Sequence, residues 1–84
     1  MSEKKRVEVK AKMSGVFYRR PAPDQDPYVE VGSRVVKKDV LALLETMKVF
    51  QKVKSTASGT VIEIRAKNEE PLKDGEVMFV IEKS

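Results

Sequence analysis

The chain repeats itself, and this internal repeat limits the folds open to it more than any other feature of the sequence. Residues 9–15 and residues 53–59 are identical at four of seven positions, with an offset of 44. Residues 40–45 and residues 77–82 share the same apolar character with an offset of 37, in the same order along the chain. We therefore predict two similar halves, related by a pseudo-twofold axis, that bury their apolar faces against each other.

The two offsets differ by seven residues, so the first half contains an insertion of that length. The insertion lies between Tyr18 and Val29, where residues 20–28 include three prolines. Proline fixes the backbone angle φ and has no amide hydrogen to donate, so this segment is excluded from the centre of a sheet. We expect a stiff loop that projects from the first half.

Short runs of apolar residues, many of them alternating with polar ones, make up most of the remaining chain. Turn sequences that contain glycine separate these runs, and no segment longer than about ten residues keeps a helical period. The pattern predicts an all-β domain with short strands. Because successive side chains of a strand point to opposite faces, the neighbours Phe17 and Tyr18 are not both expected to point inward. Core residues are expected among Phe17, Tyr18, Leu41, Leu43, Val61, Ile62, Phe79 and Ile81.

The composition excludes several kinds of function. The 84 residues include no Cys and no His, which rules out disulfides, thiolate metal sites and catalysis by a histidine base. No apolar run approaches the roughly 20 residues that a membrane span needs. The first six residues also lack the apolar stretch of a signal peptide. We expect a single domain that acts in the cytoplasm and has no membrane partner.

The positive charge is concentrated near the start of the sequence. The formal net charge is +4, of which residues 1–20 contribute +5 and the remaining residues −1. We expect residues 1–6 to be a disordered basic extension, because runs of like charge are usually solvated. A docking patch for an acidic partner or a nucleic acid is the alternative interpretation of this charge.

The junction between the two halves falls at residues 45–49, between two apolar strands. Such a connection is a tight hairpin, and its favoured residues are Gly, Asn and Asp. None of these is present between Glu45 and Val49. Turns made of residues that do not favour a turn tend to mark functional positions. We therefore expect this tip to be functional, with Lys48 exposed on it.

The segment Glu45-Thr46-Met47-Lys48-Val49 resembles the attachment motif of the biotin carboxyl carrier domains. The resemblance extends over about residues 7–82 and includes residues 13–18, 29–32 and 58–61. It departs from the usual motif at Thr46, where Ala is commonest, and at Val49, where a second Met is usual. Residues 20–28 resemble the "thumb" of the bacterial and plastid acetyl-CoA carboxylase carriers. The resemblance implies a flattened β-barrel or sandwich of two four-stranded antiparallel sheets, of the biotinyl/lipoyl "hammerhead" type.

The resemblance also implies a function. A biotin protein ligase would join biotin covalently to Lys48, and the tethered biotin would carry a carboxyl group between biotin carboxylase and carboxyltransferase. The parent complex would be an acetyl-CoA or other acyl-CoA carboxylase of fatty acid synthesis, in which this domain is a carrier and not a catalyst. The ligase would recognise Glu45, Thr46, Met47 and Val49, and the biotin would contact Pro21, Pro23 and Tyr28 of the thumb.

Two alternatives from other classes remain open. A lipoyl carrier has the same fold, although its Asp-Lys-Ala motif is absent and Met47 argues against it. A small basic β-barrel could bind nucleic acid through aromatic and basic side chains on one sheet face. Only five aromatic residues are present, and Phe17 and Tyr18 are adjacent, so nucleic acid is not an expected partner. An enzyme is the least favoured class, since the chain is short and lacks the usual acid–base residues.

Overall fold

The computed structural model describes residues 5–84, which form eight β-strands. The first half contains β1 (Arg6–Lys10), β2 (Gly15–Tyr18), β3 (Arg34–Val35) and β4 (Val40–Thr46). The second half contains β5 (Val49–Lys54), β6 (Gly59–Ile64), β7 (Glu70–Leu72) and β8 (Val77–Lys83). They form two four-stranded antiparallel sheets, which confirms the predicted all-β architecture.

The order of the strands shows the predicted pseudo-twofold relation. One sheet has the order β1-β8-β6-β3 and the other has the order β5-β4-β2-β7. Exchanging each strand of the first half with its counterpart in the second half converts one order into the other. Each half therefore contributes two strands to each sheet, so both halves are needed to complete each sheet.

The glycine of the repeated Ser-Gly sequence has a steric cause that is the same in both halves. A Cβ atom added to Gly15 would lie 2.6 Å from the backbone oxygen of Glu45. A Cβ atom added to Gly59 would come still closer to the backbone oxygen of Glu82. Gly15 and Gly59 are 44 residues apart, and Glu45 and Glu82 are 37 residues apart, as in the two repeats. The same close backbone approach therefore occurs once in each half.

The turns that precede β4 and β8 are also equivalent. In the first turn Asp39 Oδ2 accepts a hydrogen bond from the amide of Val36, and in the second Glu76 Oε1 accepts one from the amide of Lys73. The third residue of each turn has a positive φ, 81° at Lys38 and 90° at Gly75. The first half therefore holds a lysine in the left-handed backbone conformation for which the second half uses glycine.

The core lies between the two sheets, where the rings of Phe17 and Phe79 meet at 5.7 Å. Of the predicted core residues, Phe17, Leu41, Val61, Phe79 and Ile81 are buried. Tyr18, Leu43 and Ile62 are only half-buried, which corrects their assignment to the core. The alternation argument was right that only one of Phe17 and Tyr18 points inward. The buried residues that this prediction omitted include Val9, Leu44, Leu72 and Met78.

The ordered domain begins earlier than the sequence suggested. Arg6 is the first residue of β1 and pairs with Glu82 of β8, and the backbone oxygen of Lys5 accepts a hydrogen bond from the amide of Lys83. The prediction of a disordered extension over residues 1–6 is therefore wrong for these two residues. Pairing with the last strand holds them, and this is a long-range contact that local composition does not reveal. Residues 1–4 of that predicted extension lie outside the described residues.

The insertion lies where the two offsets placed it. Residues 19–33 connect β2 to β3, whereas residues 65–69 make the equivalent connection from β6 to β7. The amide of Tyr28 donates to the backbone oxygen of Arg19 at 3.0 Å and closes the base of the loop. Tyr28 packs against the core from this base. The tip of the loop, which includes Pro21 and Pro23, is exposed.

Candidate functional site

The hairpin between β4 and β5 carries the residues singled out by the sequence. Thr46 pairs with Val49, so that Met47 and Lys48 alone form the loop. Their φ angles are 49° and 66°. Positive φ at both central residues defines a type I′ turn, the two-residue turn whose twist matches that of the flanking strands. The structure therefore confirms a tight hairpin tip at Lys48.

This turn is strained, because neither residue is Gly, Asn or Asp. The left-handed conformation brings the Cβ of an ordinary residue close to the following carbonyl oxygen and costs on the order of 1 kcal/mol per residue. The six-residue pairing of β4 with β5 holds the turn in this form. The absence of favourable turn residues, noted in the sequence, thus corresponds to real backbone strain at the tip.

The side chains of the motif differ in their exposure. Met47 is 96% exposed, and Lys48 and Val49 are also exposed. Thr46 is only 9% exposed and packs inward near Gly15, where an added Cβ would lie 2.7 Å from Thr46 Cγ2. Thr46 therefore has a packing role at the end of β4, whereas Met47, Lys48 and Val49 are available to another molecule.

Glu45 belongs to a small cluster that sequence reasoning missed. The hydroxyl of Tyr18 donates to Glu45 Oε1 at 3.2 Å, and the ring of Tyr18 meets the ring of Phe50 at 5.6 Å and 60°. Desolvation, together with the neighbouring Glu45 carboxylate, raises the pKa of Tyr18. Glu45 pairs with Phe50 on one side and with Val16 on the other, and Tyr18 lies two residues after Val16 on the same face of β2. The side chains of Tyr18, Glu45 and Phe50 therefore share the outer face of the sheet. Only the strand register, which the sequence did not predict, could have revealed it.

The insertion is anchored away from the hairpin. β2 runs away from the tip, since Val16 pairs with Glu45 and Tyr18 with Leu43. The hydrogen bonds of residues 19–28 run within the loop, to Val29 and to Asn68 of the β6–β7 connection. The structure therefore gives the loop and Lys48 no hydrogen bond to each other within the part of the chain it describes.

Comparison with known proteins identifies the family. The model of the family described as "Biotin-requiring enzyme" matches residues 7–81. The chain belongs to this family. The match begins at the second residue of β1 and ends in β8, so it spans both halves of the domain.

Three relatives in this biotin-requiring enzyme family are acetyl-CoA carboxylase carriers by name. The chain is 39% identical over 74 residues to the chloroplastic biotin carboxyl carrier protein of acetyl-CoA carboxylase 1 from Arabidopsis thaliana, covering 88% of this chain and 26% of the relative. It is 39% identical over 71 residues to the carrier protein of a Nostoc species, covering 84% of this chain and 39% of the relative. It is 36% identical over 73 residues to that of Pseudomonas aeruginosa, covering 87% and 47%. The chain thus spans between about a quarter and a half of the length of these relatives.

Solved structures agree with the fold of this family. The chain superposes on part of a single-chain, multi-domain long-chain acyl-CoA carboxylase with a TM-score of 0.80 and 13% identity, covering 94% of this chain and 7% of that one. It superposes on part of the Kluyveromyces lactis urea carboxylase with a TM-score of 0.76 and 26% identity, covering 96% of this chain and 6% of that one. Within residues 5–84, no helix is long and apolar enough to cross a membrane.

Proposed function

We propose that this domain is a biotin carboxyl carrier whose Lys48 bears covalently attached biotin. The observation that carries the proposal is the position of Lys48 on an exposed, strained type I′ turn, at the junction of the two halves of a biotin-requiring enzyme domain. The relatives named as acetyl-CoA carboxylase carriers support the same role. The chain itself acts as a carrier and supplies no catalytic group.

The chemistry of attachment fits an exposed lysine. A lysine amine is mostly protonated at neutral pH, so the ligase must first remove a proton. Lys48 Nζ then attacks the acyl carbon of a biotinyl adenylate, the bond from that carbon to the phosphate oxygen breaks, and adenosine monophosphate leaves. A second proton is lost as the amide forms. When bound, biotin supplies a ring nitrogen that accepts a carboxyl group and gives it up again.

The residues around Lys48 present the amine and hold the tip rigid. Met47 and Val49 flank the lysine and are open to contact with the ligase, whereas the buried Thr46 fixes the end of β4. Glu45 is held by the hydroxyl of Tyr18 on the outer face. A rigid base with a flexible tether raises the local concentration of the tethered group at each partner site.

The partners follow from this role. We propose a biotin protein ligase, a biotin carboxylase and a carboxyltransferase, with the cytoplasm as the compartment and an acyl-CoA carboxylase as the complex. Within the insertion, the exposed Pro21 and Pro23 are the residues proposed to contact the biotin. Tyr28 packs against the core and is proposed to anchor the loop.

Intact mass measured after co-expression with a biotin protein ligase and free biotin tests the assignment. We expect a gain of one biotinyl group, located by peptide mapping at Lys48. Lys48→Arg should gain none and should unfold at the same urea concentration, because the side chain is exposed.

Lys73→Arg, in the turn before β8, is the matched control and should be biotinylated as the parent is. A biotinylated Lys48→Arg protein, or a folded parent chain that gains no biotin, would contradict the proposal. In the second case, the same measurement with a lipoyl ligase would identify a lipoyl carrier of the same fold.

A further inference from the structure

A groove of about 910 Å³ lies between the two sheets, along the strands that form their open edges. β1 ends one sheet and β5 ends the other, so each pairs with a neighbour on one side only. The floor is apolar and is formed by Val9, Leu44, Val53 and Met78. The groove is separate from Lys48, which is not among its lining residues.

The groove lies on the pseudo-twofold axis, and its two walls have equivalent positions. One wall joins the end of β5 to residues 37–39, because the amide of Lys38 donates to the backbone oxygen of Ser55 at 2.8 Å. The other wall joins the end of β1 to residues 74–76, because the amide of Gly75 donates to the backbone oxygen of Ala11 at 2.8 Å. Equivalent residues of the two halves therefore face each other across the axis.

The walls differ sharply in charge. The β1 wall contains Lys10 and Lys12 together with Glu8 and Asp74, and Lys10 Nζ lies 3.8 Å from Glu8 Oε1. The β5 wall contains four lysines and none of the acidic residues that line the groove. These lysines are Lys37, Lys38, Lys52 and Lys54. Asp39, in the same turn as Lys38, is not among the lining residues, and its Oδ2 accepts from the amide of Val36. The side chains that line the β5 wall are therefore positively charged without an acidic neighbour in the lining.

One of these lysines is held at a cost in backbone strain. Lys38 has a φ of 81°, and its counterpart in the same groove is Gly75. Lysines on edge strands also prevent sheets from pairing edge to edge, which could account for Lys52 and Lys54. That role does not account for Lys37 and Lys38, which lie in a turn outside any strand.

We propose that the β5 wall binds an acidic, extended segment of a partner protein. An edge strand offers unpaired backbone groups to an added strand, the apolar floor suits alternate apolar side chains, and the lysines complement carboxylates on the rim. A second copy of this chain would bring like charges together, which disfavours it. The residues lining the groove include no aromatic side chain on which a nucleic acid base could stack.

Nuclear magnetic resonance titration of the ¹⁵N-labelled Lys48→Arg chain tests this proposal independently of biotin attachment. The probe is a synthetic peptide that alternates glutamate and valine and has the length of β5. We expect saturable shifts at the amides of residues 37–38 and 51–54, and weaker binding as salt is raised, because exposed charge pairs are screened. A peptide that alternates lysine and valine should not bind.

Two pairs of variants separate this site from general charge attraction. Lys52→Gln with Lys54→Gln should weaken binding about tenfold, since each exposed ion pair contributes a factor of up to about five. Lys67→Gln with Lys83→Gln removes the same charge at exposed positions outside the groove and should bind as the parent does. If the first pair fails to fold, Lys37→Gln with Lys38→Gly should weaken binding by a similar factor while relieving the strained turn.

Several results would overturn the proposal. They are shifts spread over the surface or centred on the hairpin, equal weakening by both charge-matched pairs, and tighter binding of a single-stranded oligodeoxynucleotide than of the acidic peptide. The absence of saturable binding would also overturn it and would leave Lys52 and Lys54 with edge protection alone.

Discussion

Gly15 shows how a single residue couples the strand that leads into the Lys48 hairpin to its neighbour in the sheet. It lies at the start of β2, and a Cβ atom at this position would meet the backbone oxygen of Glu45 and the methyl group of Thr46. Thr46 is the last residue of β4 before the strained turn at Met47. A side chain at position 15 would therefore push on the strand that presents Lys48.

Gly15→Ala is expected to destabilise the domain by about 2 kcal/mol, because the added methyl group overpacks a closely approached backbone. The decrease should appear as a lower midpoint of urea unfolding with an unchanged slope. The neighbouring Ser14→Ala is the control. Ser14 is exposed, so its substitution should change the free energy of unfolding by no more than about 0.5 kcal/mol. Equal stability of both variants would mean that β2 and β4 separate easily.

At the scale of elements, the two equivalent turns differ in how well their residues suit the backbone. Both are closed by a carboxylate that accepts an amide hydrogen three residues earlier, Asp39 in one and Glu76 in the other. Both place their third residue in the left-handed region, but only Gly75 adopts it without a steric penalty. The first turn is therefore the weaker of the pair for a reason confined to Lys38.

Lys38→Gly is expected to stabilise the domain by about 1 kcal/mol, since the penalty of a left-handed Cβ exceeds the entropy that glycine adds to the unfolded chain. Thermal or urea unfolding measures the change. The control is Lys37→Gly in the same turn, where φ is not positive and glycine should destabilise slightly. A loss of stability in Lys38→Gly would show that the lysine side chain makes a contact more favourable than the strain it imposes.

At the scale of the whole molecule, the two halves share one core and differ chiefly in the insertion of residues 20–28. Each half lends strands to both sheets, so the core closes only when the chain is complete. The chain leaves the sheet after Tyr18, rejoins the core at the buried Val29 and enters the next strand at Arg34. The second half connects its equivalent strands, β6 and β7, with only the five residues 65–69.

Deletion of residues 21–27, which leaves Arg19 and Tyr28 in place, is expected to give a folded domain that unfolds in one cooperative transition. Loop length has only a weak effect on stability, and the lost residues are mostly exposed. Far-ultraviolet circular dichroism with urea unfolding measures this, and biotin attachment at Lys48 should persist. Global unfolding of the deletion variant would show that the loop supports the core.

The sequence by itself determined the two-half organisation, the place of the longer connection, the all-β class and the hairpin at Lys48. Each of these depends on local or periodic features: a repeat with two offsets, a cluster of prolines, short alternating runs and a short junction between two apolar strands. Side-chain alternation also separated Phe17 from Tyr18 correctly, because the period of two is a property of every strand.

Only the tertiary structure decided which strands are neighbours. The strand neighbours in turn decide which distant residues come into contact, and local sequence patterns do not contain this information. The register of β2, β4 and β5 brings Tyr18, Glu45 and Phe50 together, and pairing with β8 holds Lys5 and Arg6 in the domain. The pseudo-twofold axis places four lysines from two separate segments along one wall of a groove. These arrangements join residues far apart in the chain, so they depend on long-range pairing and on the burial that makes one register more stable than the others.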